Sequence, residues 1–269
     1  MHLSGILTQA QGWSAGVLKS TFENLGRISR FLGIALRGLY TPPFFLAQVP
    51  RLSLELVGRC AIPVMSVLFG LGVAISIQAG SVFKLFSAEP MLGGMTGLMV
   101  FRELGPVISA ILIAAQGGTS TATEIGAMRI KDEVDALELM AVDPMRLLIL
   151  PRILSFTLAT PLLNFMACLV GILGGYLAAV AQGFTSSGTY TDSFFTYLTQ
   201  LDLWNGLYKT FFFGIIIGTL STYYGFNASG GAEGVGRSAN QAVVQSIMAV
   251  LAANYFLTSA FFGATGALF

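Results

Sequence analysis

Arg102 and Glu103 stand side by side in the run 91–118, which carries no other charge. A charge inside a membrane helix costs about 2.5–3.5 kcal/mol at mid-depth on insertion scales, so an unpaired one is hard to tolerate. Neighbouring helical residues point in divergent directions, so these two cannot simply pair with each other. Each needs a partner of its own (a side chain, water or a ligand), or Arg102 snorkels out to the headgroups. Pro106 has no N–H, so the carbonyl of Arg102 loses its i+4 donor. With Gly105 beside it, this predicts a kink that frees polar atoms next to the two charges. Gln78 lies in a separate apolar run between Ser76 and Gly80. It reads either as a helix–helix hydrogen bond or as lining one polar cavity with Arg102 and Glu103. Groups of this kind bind and pair; they do not make or break bonds.

The rest of the chain offers no catalytic set. Its single histidine is His2, which argues against a histidine acid/base, a zinc-protease motif or a Ser–His hydrolase. No GxxxxGK[ST] phosphate loop occurs. The segment GGTSTATEIG (117–126) shares only its Gly/Ser/Thr content and lacks the lysine, so any nucleotide would bind on another protein. Nothing suggests a metal site or a haem, and no cofactor is expected in this chain.

A second constellation runs from Thr121 to Pro144, TATEIGAMRIKDEVDALELMAVDP, and holds eight of the chain's 27 charges. Ile130, Val134, Leu137 and Ala141 fall on one helical face, which predicts an amphipathic helix. Asp132, Glu133, Asp135 and Glu138 place four acids within seven residues. The spacing predicts pairing of Arg129 with Asp132 and Glu133, and of Lys131 with Asp135. Such a helix is poorly suited to cross a bilayer and well suited to lie at its surface, either as a solvated face or as a dock for a soluble partner. Asp143-Pro144 then offers an N-cap and a first-turn proline for the helix that re-enters the membrane.

The elements that must hold these groups are membrane spans. Of 269 residues 54% are hydrophobic and 10% charged, with mean hydropathy +0.76, against about 25% charged in a soluble domain. Net charge is +1, so no global field argues for nucleic acid. Cys60 and Cys168 are isolated in or beside apolar segments and read as packing residues. The start of the chain lacks the layout of a cleaved signal peptide, and the first span is expected to act as an uncleaved insertion signal. Gly70, Gly72, Gly171, Gly174 and Gly175 lie inside apolar runs, where small residues let helices approach closely.

Residues 17–40 put Leu25, Ile28, Leu32, Ala35, Leu36 and Leu39 on one face and Arg27, Arg30 and Arg37 on another, the pattern of an interfacial helix. A helix partly buried elsewhere in the fold is the alternative. Thr41-Pro42-Pro43 breaks it, and a second amphipathic piece runs to Arg59. Five spans are expected: 61–83, within 91–118, 153–181, near 204–226, and a last one after the loop 227–241 that ends near Gly263. A polar stretch, Gln182 to Asp202, precedes the fourth. The N-terminus and the segments 119–152 and 227–241 then share one side with eleven Lys and Arg (Lys19, Arg27, Arg30, Arg37, Arg51, Arg59, Arg129, Lys131, Arg146, Arg152, Arg237). The other side holds Lys84 and Lys209. By the positive-inside rule the N-terminus and the acidic helix are cytoplasmic, and the C-terminus faces outward.

Four pieces of sequence resemble the MlaE/YrbE permeases, the membrane subunits of Mce-type ABC lipid transporters. They are FRELGPVISAILIAA (101–115), TATEIGAMR (121–129), EVDALELMAVDPMRLLILPR (133–152) and GAEGVGRSANQAVV (231–244). They run in family order over roughly 60–265. The resemblance implies one permease domain over 1–269, with interfacial elements at 17–59 and an all-α core of five transmembrane helices at 60–265. It implies a multi-pass protein of the bacterial inner (cytoplasmic) membrane, working as a homodimer. Its partners would be a cytoplasmic ABC ATPase that binds ATP and Mg, and an outer ring of Mce substrate-binding proteins. The substrate would be a lipid, phospholipid above all. The family's coupling helix carries over to Asp132, Glu133, Asp135, Leu137, Glu138, Met140, Asp143 and Pro144. The family's lipid pocket carries over to Gln78, Arg102 and Glu103. An ABC exporter permease for another hydrophobic substrate, without an Mce ring, is the rival reading. A membrane enzyme would need a nucleophile, base or metal cluster that is missing here.

Overall fold

The structure is a computed structural model and describes residue 23, residues 26–38 and residues 45–262. Among these the chain is helical and has no strand. His2, Lys19, Leu25, Leu39, the Thr41–Pro43 break and Gly263 lie outside the described residues. So do the flanks of the expected interfacial element, 17–22 and 39–44.

Helix α1 (26–37) exposes Arg27, Arg30 and Arg37. Phe31 and Ala35 are buried against Ile125, Ile149 and Ile153, so this face docks on the fold while Ile34 and Leu36 stay exposed. Helix α2 (Val49–Leu85) is one piece of 37 residues. The amphipathic piece ending at Arg59 and the first span are therefore one helix. Nothing between them breaks it, because Pro63 removes only a single backbone bond. At 1.5 Å per residue α2 is about 55 Å long, well beyond the ~30 Å hydrocarbon core.

The next 42 residues, Glu89–Ile130, form a second long helical segment. It consists of α3 (Leu92–Met99), α4 (Gly105–Ile113) and α5 (Thr119–Ile130), joined by π-helical turns at Val100–Leu104 and Ala114–Gly118. The span expected within 91–118 thus continues without a break into the start of the acidic segment.

The amphipathic helix expected from Ile130 to Ala141 is not continuous. Alpha5 ends at Ile130, Asp132 takes a left-handed conformation (φ 57°), and α6 (Glu133–Leu139) has only seven residues. Asp is among the few side chains that tolerate this backbone. Ala141 is left-handed as well (φ 58°), which ends the segment.

A π-helical turn at Met145–Ile149 leads into α7 (Leu150–Ala181). Asp143 accepts the Met145 N–H at 2.9 Å and pairs with Arg146 at 3.0 Å, as its capping position requires. The polar stretch after α7 is itself helical: α8 (Ser187–Tyr197) starts at Ser186, whose hydroxyl accepts the Thr189 N–H. Alpha9 (Gln200–Phe226) begins with a capping box between Thr199 and Asp202. Alpha10 (Gly231–Phe262) takes in most of the loop expected at 227–241. The turn shrinks to Asn227–Gly230, where Gly230 and then Gly231 supply positive φ, and the Glu233–Arg237 pair supports the first turns of the new helix.

Among the described residues four helical segments are long and apolar enough to cross a membrane: Val49–Leu85, Glu89–Ile130, Met145–Ala181 and Gly231–Ala260. Alpha9 is 27 residues long but is diluted by Lys209 and several Thr, Ser and Tyr. Lys209, Thr210, Thr219, Ser221 and Thr222 face protein, since α9 packs between α7, α10 and α5 with these side chains buried, while Tyr208 is exposed. Alpha2 and α7 cross closely because Gly72 lies against the Gly171 backbone; a Cβ at Gly72 would run into the Gly171 carbonyl. Gly171, Gly174 and Gly175 line the same crossing, whereas Gly70 meets nothing and faces away. Cys60 and Cys168 are free thiols in the core.

Candidate functional site

The charges inside the spans find partners on α9 and α10. Arg102 Nε donates to Asp202 Oδ1 at 2.7 Å. Asp202 also accepts the Thr199 N–H at 3.0 Å, so the capping box of α9 holds the carboxylate in place for the guanidinium. Lys209 Nζ donates to Glu103 Oε1 at 2.9 Å, to Thr258 Oγ1 at 2.7 Å and to the Arg102 carbonyl at 2.8 Å. That carbonyl is the group Pro106 deprives of its helical donor, and the ammonium takes the donor's place. Glu103 is completed by Asn254 Nδ2 at 3.1 Å and Thr258 Oγ1 at 3.0 Å.

Two cations and two carboxylates thus form one neutral cluster. Asp202 and Lys209 are seven residues apart, two turns along one face of α9. That spacing lets them receive Arg102 and Glu103 separately although the latter diverge. Asp202 and Lys209 are buried, while Arg102 and Glu103 are 35% and 41% exposed. Of the outcomes open to Arg102, pairing with a side chain is the one realised. The π-helical turn Val100–Leu104 carries both residues, and at its end a Cβ on Gly105 would run into Cys168 Sγ. Gln78 is exposed on α2, and the bonds of the cluster do not reach it.

Lys209 is the largest correction. As a basic residue near a span end it counted toward the outer side, yet it is buried and ion-paired. Asp202 read as the edge of a polar stretch, and Asn254 and Thr258 carried no signal alone. The legible clues were the seven-residue spacing of Asp202 and Lys209 and the four-residue spacing of Asn254 and Thr258 on apolar helices.

At the opposite end of α5, α6 presents a different surface. Val134 and Pro144 are buried and anchor the segment; Leu137 is half-buried. Asp132, Glu133, Asp135, Glu138 and Asp143 are exposed, as is Met140 at 65%. Leu139, absent from the sequence-derived set, is the most exposed at 89%. Because the helix breaks at Asp132, the expected pairings change: Arg129 binds Asp135, and Lys131 approaches Glu133 at 3.9 Å. Arg129 also lies 5.7 Å from the ring centre of Phe226 at the end of α9. The result is an acidic knob with two apolar side chains at its tip, braced from below. Among the described residues no group of His, Cys, Asp and Glu could hold a metal ion.

The family model described as Permease MlaE matches residues 52–260. A probable ABC transporter permease protein of Rickettsia prowazekii is 35% identical over 241 residues, 89% of this chain and 93% of the relative. The intermembrane phospholipid transport system permease protein MlaE of Haemophilus influenzae is 32% identical over 90% of this chain and 94% of its own length. The chloroplastic protein trigalactosyldiacylglycerol 1 of Arabidopsis thaliana is 33% identical over 82% of this chain and 62% of its own.

Proposed function

This chain belongs to the MlaE permease family, the membrane-embedded permeases of ABC transporters, and from that premise we propose that it moves lipids, chiefly phospholipids. It does so across or out of the inner membrane of a bacterium, with two copies forming the conduit, an ATPase on the cytoplasmic side and an Mce ring on the outer side. Alpha9 is then the fifth span, its polar residues buried in protein. The N-terminus and α6 are cytoplasmic and the C-terminus faces outward. ATP and Mg belong to the ATPase; this chain contributes no bond-making group.

The observation that carries the reading is the neutral cluster Arg102–Asp202 and Glu103–Lys209 inside the helices. Polar and ionisable groups at such depth are expensive and mark substrate pathways. This cluster joins the π-helical turn of the second long segment to α9 and α10, and its half-exposed members can exchange partners with a lipid headgroup as the helices shift. Alpha6 supplies the force: its acids and the exposed Leu139 and Met140 suit a groove on the ATPase, and Arg129 passes the load to α5 and α9.

The test uses the reconstituted transporter with charge reversal at α6, Glu133→Lys with Glu138→Lys. Both side chains are exposed, so the permease should fold and insert as before while ATPase assembly or ATP-driven lipid transfer is lost. Lipid transfer at the unaltered rate overturns the coupling role of α6.

A further inference from the structure

A cleft opens at the α6 end of the molecule, between the start of α2, the start of α5 and the start of α7, with about 40 Å³ of enclosed space at its base. A space of that size takes a phosphate-sized polar group, and the rest of a larger ligand lies in the open mouth. Its walls hold a chain of four charges distinct from the Arg102–Lys209 cluster. Arg59 donates to Glu55 at 2.5 Å, to Ser120 Oγ at 2.5 Å and to Glu124 at 3.1 Å. Arg152 donates to the other oxygen of Glu124 at 3.3 Å. Leu56 and Phe156 form an apolar floor.

Two features distinguish this chain of charges from an ordinary surface network. The Arg152 side chain is only 15% exposed, and its Nη1 is buried without a hydrogen-bond acceptor among the described residues. A buried charged donor left unsatisfied is costly, and an arriving oxygen would relieve it. The other three side chains are 45–49% exposed and can be reached from the pocket. Glu55 and Glu124 stand beside the two guanidinium groups, so a simple anion meets as much repulsion as attraction. A ligand with an ammonium next to its phosphate satisfies both signs, and the floor accepts the glycerol that follows.

Resting on the lipid-transport reading, the geometry points to a subsite for a zwitterionic phospho-amine headgroup. Arg152, Arg59 and the Ser120 hydroxyl bind the phosphate, and Glu55 and Glu124 bind the ammonium. The subsite lies at the end of the molecule that carries α6, apart from the cluster on α9, and gives the permease a contact with lipid in the leaflet on that side.

The test places p-benzoyl-phenylalanine in place of Leu52, at the pocket wall, in the complete transporter. A control carries it in place of Leu169, exposed on α7. The protein is reconstituted in vesicles of equal parts phosphatidylethanolamine and phosphatidylglycerol, irradiated, and the cross-linked species is identified by mass spectrometry. At 52 the expected product is phosphatidylethanolamine in about tenfold excess, the discrimination of one charge-assisted contact, with no preference at 169. Glu55→Gln should remove the excess, Arg152→Gln should lower the yield of both lipids together, and free phosphoethanolamine, but not inorganic phosphate, should compete. Equal yields of the two lipids, an excess of phosphatidylglycerol, or a cross-link to protein alone overturns the subsite. So does competition by phosphate alone, which would make the pocket a plain anion site. An excess that survives Glu55→Gln, or a yield that Arg152→Gln leaves unchanged, does the same, leaving the charges as a brace between helices. Transfer of a fluorescent phospholipid in the same vesicles separates the two readings. Transfer without the excess at 52 refutes the subsite alone, and the excess without transfer supports the subsite and refutes the transport reading.

Discussion

Glu103→Ala should cost more stability than Lys209→Met, although the two residues share one ion pair. The asymmetry follows from what each change leaves behind. Lys209 is buried, so removing Glu103 takes the carboxylate from an ammonium whose contacts include the neutral oxygens of Arg102 and Thr258. Breaking a buried pair in this way costs about 3–5 kcal/mol. Glu103 is 41% exposed and keeps donors from Asn254 and Thr258 when Lys209 is replaced. The loss there falls to about 1–3 kcal/mol, part of it the bond from Lys209 to the Arg102 carbonyl. A gap of about 2 kcal/mol corresponds to roughly a thirtyfold difference in the folding equilibrium. The double variant Glu103→Ala/Lys209→Met should be more stable than Glu103→Ala alone, because the buried ammonium that lost its carboxylate is gone. The measurement is reversible unfolding of the permease in bicelles with a graded denaturing detergent, run on the three variants and the parent. If Lys209→Met is the more damaging change, or the double loss is the plain sum of the singles, the cluster is not the buried pair inferred here.

The α2–α7 crossing gives a paired test: Gly72→Leu should destabilise by about 3 kcal/mol, the upper range for overpacking, because the new side chain meets the Gly171 backbone. Gly70→Leu, two positions away with open space around it, should leave the unfolding midpoint unchanged. At the end of α6, Ala141→Gly should raise stability by about 1 kcal/mol by relieving a left-handed φ of 58°. A lower midpoint there would mean that the alanine methyl makes a contact worth more than its strain.

Hydrophobic runs and charge placement made much of the fold readable. The long apolar segments, the buried cysteines, the glycine crossing of α2 and α7, and the Asp143 cap all follow from local composition and spacing. The misreadings share a cause, which is that tertiary contacts overrode local pattern. The Ile130–Ala141 stripe has the right period for one helix, yet Asp132 turns the chain because Val134 must reach the core. The glycine-rich GAEGVGRSANQ resembles a loop, yet its residues continue α10 once Gly230 and Gly231 have made the turn. Lys209 could be recognised as a site residue only after α9 was known to face Glu103, since a lone lysine near a span end has the same appearance as a topological signal. Arg102 and Glu103 were legible from energetics alone, because a charge inside an apolar run has to be matched.

Two connections run from the α6 end to the charged cluster, and they differ in stiffness. Alpha9 is an uninterrupted α-helix from Gln200 to Phe226; Phe226 meets Arg129 at one end, and Asp202 and Lys209 sit toward the other. The second connection, α5 to α4 to α3, covers the same distance but is interrupted by two π-helical turns. A π-helical turn carries a wider hydrogen-bond ring than the α-helix around it and marks where a helix can change register at low cost. On the proposed coupling role, a load applied through Arg129 to both connections would be absorbed unequally, with α9 moving as a strut and the interrupted segment yielding at its turns. One of those turns, Val100–Leu104, carries Arg102 and Glu103. The pairs most easily strained by relative sliding are thus Arg102–Asp202 and Glu103–Lys209, which join the yielding segment to the strut. Charges placed at that seam convert a small axial shift into a change of partners, because an ion pair loses its hydrogen-bond geometry over less than an ångström of extra separation.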